Sequence, residues 1–153
     1  MPGYHAKLSP SSSNRWLTCP GSLTLPQEPS EESAYAAEGT AAHELAEQCL
    51  LSGLPASDFI GQVVYDREVT QEMADNVQVY LDVCNQLLRE HDGWMAIEGY
   101  LTHDTIRDFG GTADFMLVTD TTIYIVDLKY GAGHAVEVAV PPGDQVVPGQ
   151  GLS

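Results

Sequence analysis

The stretch IYIVDLKYGAG, Ile123–Gly133, decides how the chain is read. Its first half is an apolar run rich in β-branched residues, which predicts a strand. Side chains alternate across a strand, so Asp127 and Lys129 share one face while Val126 and Leu128 take the other. Setting a carboxylate and an ammonium beside a core is costly unless they pair with each other or hold a third partner. A strand-end ion pair and a functional pair both satisfy this condition, so the neighbouring segments must separate them.

Working backward, GTADFMLVT (Gly111–Thr119) and WMAIEGYLTH (Trp94–His103) carry the same strand period. Short polar turns separate the three segments: DFGG with its paired Gly110 and Gly111, and TDTT around Asp120. Successive strands joined by short turns predict an antiparallel meander. Before it the period becomes helical. Met73, Val77, Tyr80, Leu81, Cys84, Leu87 and Leu88 mark one face of a helix over about Thr70 to His91, and that stripe reads as core. AYAAEGTAAHELAEQCLLSG predicts a helix from about Ser33 to Leu51, ended by Gly53 and Pro55. Further upstream SPSSSNRWLTCPGS supplies cap residues for a short helix near Asn14 to Thr18. The fold class is therefore α/β of the α+β kind, with helices packed on a small mixed or antiparallel sheet. After Glu137 the text is rich in Pro, Gly and Gln, and residues 141–153 are expected to form an unstructured or aberrant tail.

The 153 residues suffice for one domain, and 43% hydrophobic content is globular. No apolar run approaches the roughly 18 residues of a membrane span and the first residues lack an apolar signal region, so a cytoplasmic protein with no membrane partner is expected. Cys19, Cys49 and Cys84 are far apart and without the Cys-x-x-Cys spacing of a zinc ribbon. Acidic residues outnumber basic ones by 22 to 6, a net charge of −16 that repels polyanions and membrane surfaces. A nucleic-acid ligand would need a metal or a local basic patch to offset that field.

Pairing the last two strands through the turn at Asp120 brings Asp114 toward Asp127. Two carboxylates repel unless a divalent cation lies between them. Lys129 projects toward the same place, where an ammonium can hold a water or stabilise a developing anion, as metal-assisted phosphodiester hydrolysis requires. In GTAAHELAEQ, His43 and Glu47 lie four residues apart and share a helix face, which suits a metal or a hydrogen-bonded surface pair equally. Glu98, within AIEGYL, is either a further inward acid or a solvent-facing one. Ser13 and Arg15 offer a helix start and a guanidinium to a phosphate, although helix capping explains the serines as well. Trp16 reads as a packing anchor.

GTAAHELAE, GGTADFMLV and IYIVDLKYGAG, in this order, resemble motifs I, II and III of the PD-(D/E)xK nuclease superfamily, in the branch of RecB-type and YqaJ-type exonucleases, and within it a phage and prophage group that opens with a segment like SPSSSNRWLTCPGS. The resemblance covers roughly residues 8 to 138 and implies a restriction-endonuclease-like core over residues 1–140. It implies a DNA exonuclease of phage recombination or repair, dependent on Mg²⁺ or Mn²⁺, in a bacterial host cytoplasm, with DNA and a phage recombination protein as partners. On it, Asp114 and Asp127 are metal ligands, the Leu128 carbonyl completes the coordination, His43 ligates or supports the metal, and Lys129 is catalytic. Glu47 and Glu98 are supporting acids. The Gln-x-x-x-Tyr helix that follows motif III in this branch has no counterpart, since no tyrosine follows Tyr130. That departure leaves a second reading: a truncated, non-catalytic nuclease-fold remnant or an acidic protein-binding module. Only Cys19 corresponds to a cluster ligand of some relatives, so no iron–sulfur cluster is expected.

Overall fold

The computed structural model describes residues 6–25 and 34–131. In chain order these form α1 (Ser13–Thr18), α2 (Ala34–Ser52), a two-residue-per-strand hairpin of β1 (Val63–Val64) and β2 (Arg67–Glu68), α3 (Gln71–Glu90), β3 (Trp94–Thr102), β4 (Gly110–Val118) and β5 (Ile123–Val126). Single 3₁₀ turns at Pro10–Ser12, Pro20–Leu23 and Ala56–Phe59 punctuate the connections. The fold is α+β. No described helix is long and apolar enough to cross a membrane. The predicted tail of residues 141–153 lies outside the described residues.

The long helices start and stop for local reasons. Thr70 caps α3 by accepting the Met73 N–H at 3.1 Å, with Glu72 in the first turn and Arg89 in the last, each matched to the helix dipole. Its buried face is Met73, Ala74, Val77, Tyr80, Leu81 and Cys84, as the stripe predicts, while Leu88 is turned outward. The opposing face of α2 is built from Ala41, Ala42, Leu45, Ala46 and Cys49. Three alanines in that set let the two helix backbones lie close together. Phe115 and Leu117 of β4, with Leu128, close the core from the sheet side. No charged residue among those described is fully buried.

The sheet is the predicted antiparallel meander, order β3-β4-β5. Thr119 closes the last turn, its N–H donating to the Thr122 carbonyl at 2.9 Å and its hydroxyl oxygen accepting the Thr122 N–H at 3.0 Å. Gly110 is required where β4 begins, because a Cβ there would stand 2.5 Å from the Leu101 carbonyl oxygen. The ladder pairs Ile97 with Phe115 and Gly99 with Ala113 but skips Glu98 and Asp114. At this break Glu98 adopts φ +49°, a left-handed conformation rare for a non-glycine residue and costing on the order of 1 kcal/mol. Along the outer face runs the N-terminal segment, joined to the sheet by a parallel bridge from Leu8 to Phe109 and by the Leu8 N–H donating to the Asp108 carbonyl at 2.9 Å. Trp16 anchors it from above, its indole N–H reaching the Ser9 carbonyl at 3.0 Å and its ring meeting Phe109 edge-on.

Candidate metal centre

Asp114 is the meeting point of three segments. Phe115 and Leu117 face the helices, so strict alternation would send Asp114 to the outer face; the skipped pair at Glu98 re-aims it. Its Oδ2 stands 3.3 Å from Nε2 of His43 on α2 and accepts the Leu128 N–H at 2.7 Å. The Asp114 side chain is only 13% exposed. On its other side the His43 ring Nδ1 meets the Gly39 carbonyl, one helical turn back, at 2.8 Å. That second partner fixes the ring orientation with Nε2 toward Asp114. The hydrogen bond to Asp114 raises the His43 pKa from 6.5 to about 9, against an opposing effect of burial and with further help from the Gly39 carbonyl. For Asp114, burial alone would raise the pKa, but the His43 and Leu128 hydrogen bonds outweigh it and hold the carboxyl below its ordinary value.

The remaining sequence candidates divide around this junction. Asp127 and Lys129 do share one face, and they form an ion pair with each other. Tyr124, Val126 and Leu128 pack toward the core, whereas Ile123, Ile125, Asp127 and Lys129 are exposed on the opposite side. His43 thus reaches Asp114 as the implied ligand set requires, whereas Asp127 and Lys129 sit on the other face, which corrects the expectation of one shared cleft. Helix α2 reaches Asp114 alone, because the ladder break turns Asp114 inward while β5 keeps its regular alternation. The positive charge of Lys129 still contributes to lowering the Asp114 pKa. Glu98 is half-buried, and burial followed by repulsion from Asp114 raises its pKa. Glu47 and Glu44 of α2 add to that repulsion, so Glu47 bears on the site through Glu98. Ser13 opens the short α1, and Arg15 borders a separate shallow groove with Ser11, Asn14 and Thr18. Cys49 and Cys84 are core residues whose thiols burial pushes up to about 11, and Cys19 is exposed. The Gly39 carbonyl is the partner that sequence reasoning missed. Its signal, a histidine one turn after a carbonyl, becomes readable only once the helix is placed.

Residues 5–147 match the family model described as Protein of unknown function (DUF2800). The chain belongs to the DUF2800 family. No solved structure matches it.

Whether this DUF2800 chain suits a divalent cation is decided by its donor set. The His43 Nε2 and Asp114 Oδ2 atoms, both of metal-ligating type, stand 3.3 Å apart. An imidazole nitrogen and a carboxylate suit Mn²⁺, and Mg²⁺ accepts one or two carboxylates with water in the remaining positions. Among the described residues no three His, Cys, Asp or Glu side chains converge. The DUF2800 junction thus sets an imidazole beside a carboxylate, with Nδ1 of His43 committed to the Gly39 carbonyl.

Proposed function

We propose that the chain is a metal-dependent phosphodiester hydrolase domain of the PD-(D/E)xK type acting on DNA, with His43 and Asp114 holding Mg²⁺ or Mn²⁺. The observation that carries this reading is the Asp114 carboxylate, which binds the α2 histidine and the backbone between Asp127 and Lys129 at once, so that the three sequence motifs meet at one atom. A cation held there would polarise a phosphoryl oxygen and lower the pKa of a bound water. Asp114 and His43 would hold it, His43 through an Nε2 freed of its proton. Gly39 keeps the imidazole oriented. Lys129 lies across the sheet from this pair, ion-paired with Asp127, and would act on a developing phosphorane anion through the same positive charge that already bears on Asp114.

Calorimetry and cleavage together test this. Millimolar Mn²⁺ should raise the melting temperature, since a ligand at ~100-fold its Kd adds about 2.7 kcal/mol of stability. Asp114→Asn should abolish the shift. Lys129→Ala should keep it while eliminating Mn²⁺-dependent cleavage of linear DNA, and Ca²⁺ should bind without supporting cleavage. A second reading, a non-catalytic partner-binding domain, draws support from the outward Asp127–Lys129 pair and the −16 charge. Equal responses of wild type and Asp114→Asn to Mn²⁺ would leave that reading standing alone.

A further inference from the structure

A cleft of about 590 Å³ opens between the N-terminal segment and the outer face of the sheet. Its walls are Pro10, Tyr100, Phe109 and Ile125, with the Ser9 and Ser11 hydroxyls on one rim and Lys129 on another. This is the size of a ligand pocket, and the lining is mainly apolar with a few polar groups, as such pockets are. The aromatic wall is held in place. Phe109 is gripped edge-on by Trp16 and His103 at ring separations of 6.4 and 6.0 Å. His103 Nδ1 in turn accepts the N–H groups of Thr105 and Ile106 at 3.2 Å, which locks its ring on the 103–109 loop. Among the described residues the sheet face around Tyr100 is uncovered, with Ile125 59% exposed.

Charge decides what such a cleft can take. Residues 34–92, the helical side, carry eleven acidic residues against two basic ones, Arg67 and Arg89. Residues 6–25, the 103–109 loop and Asp127–Lys129, which build and flank the cleft, carry Lys7, Arg15, Arg107 and Lys129 against Asp104, Asp108 and Asp127. Of these, Lys129 and Asp127 line the cleft and Lys7, Arg15 and Arg107 lie on the segments that adjoin it, so among the described residues a polyanion meets less repulsion here than on the helical side. Asp127 is no obstacle, because an exposed pair with Lys129 is weak and a phosphate can compete for the ammonium. Duplex DNA offers such a cleft phosphates only. An unpaired strand offers base faces as well, and those are what exposed aromatic rings bind.

We infer that this cleft is a subsite for single-stranded nucleic acid, with unpaired bases against Tyr100 and Phe109 and a phosphate at Lys129. It rests on the hydrolase reading for the choice of a polyanion and extends it by naming the unpaired strand as substrate. The test is fluorescence anisotropy of the full chain with a labelled twelve-nucleotide oligothymidylate in EDTA, where binding is separated from metal and cleavage. The oligonucleotide should bind with an affinity that falls as salt rises. Tyr100→Ala should weaken it at least about five-fold, the low end of stacking on one base. Arg107→Glu, on the exposed loop, should weaken it and lower the salt slope even if Tyr100→Ala fails to fold. Arg67→Ala and Arg89→Ala should leave it unchanged. Equal or tighter binding of a twelve-base-pair duplex overturns the inference, as does binding of a basic apolar peptide where the oligonucleotide does not bind. Absence of oligonucleotide binding with the Mn²⁺ thermal shift intact defeats the subsite alone, and binding without Mn²⁺-dependent cleavage supports the subsite while defeating the hydrolase reading.

Discussion

Two acid–base pairs lie close together in this molecule and behave as opposites. His43–Asp114 joins a helix to a strand, is mostly sheltered, and shares its carboxylate with a backbone N–H. Asp127–Lys129 joins two residues of one segment, and its lysine side chain is 73% exposed. The first is coupled to the fold through three partners, so that both members have shifted pKa values. The second is a solvated contact that water and salt screen, of the kind that contributes little to stability. Proximity in sequence made the second pair conspicuous. Proximity in space makes the first one matter to stability.

The largest effect expected from this contrast belongs to Asp114→Ala. It strips the Leu128 N–H of its acceptor and leaves the His43 imidazole without its counter-ion, and should lower unfolding free energy by about 2–4 kcal/mol in urea titrations. A loss under about 1 kcal/mol would mean that the junction is no stronger than the surface pair.

Next in size is a pH dependence, measured in EDTA. The folded-state pKa of His43 is raised from 6.5 to about 9, so its contribution is fully present below about pH 6.5 and is lost as pH rises through about 9. Asp114 works in the other direction. Its folded pKa is lowered, so its contribution is present above the ordinary carboxylate range and is lost as pH falls through the lowered value. The melting temperature should therefore fall between pH 6.5 and 9, and His43→Gln should flatten that limb. An unchanged slope in the variant would assign the fall to other groups.

The smallest effect should come from Lys129→Ala, under about 1 kcal/mol at any salt concentration. Its value lies in the comparison with cleavage, which the same substitution should eliminate.

Most of the fold was legible in the sequence because each long element repeats one signal many times. Six buried positions of α3 stand at helical spacing, and the three strands are set off by marked turns. The β1–β2 hairpin escaped notice for a local reason. Its turn residues, Tyr65 and Asp66, take φ +46° and +58°, a task usually marked by Asn or Gly. The site was half legible. Sequence located His43, Asp114, Asp127 and Lys129 and paired Asp127 with Lys129 on one face. The approach of His43 to Asp114 was expected, but not its route: Asp114 turns inward where Glu98 adopts a left-handed backbone, and nothing in a glutamate announces this.

The Asp114 junction also has a kinetic meaning. It connects the middle of α2, the middle of β4 and the end of β5, so none of its contacts exists until the helix has docked on an assembled sheet. Such contacts form late, after the transition state has gathered most of its surface. In a chevron plot Asp114→Ala should therefore leave the folding limb nearly unmoved and raise the unfolding rate. The residue proposed to hold the metal would then also govern how long the native state lasts, and a bound cation would act chiefly as a brake on unfolding.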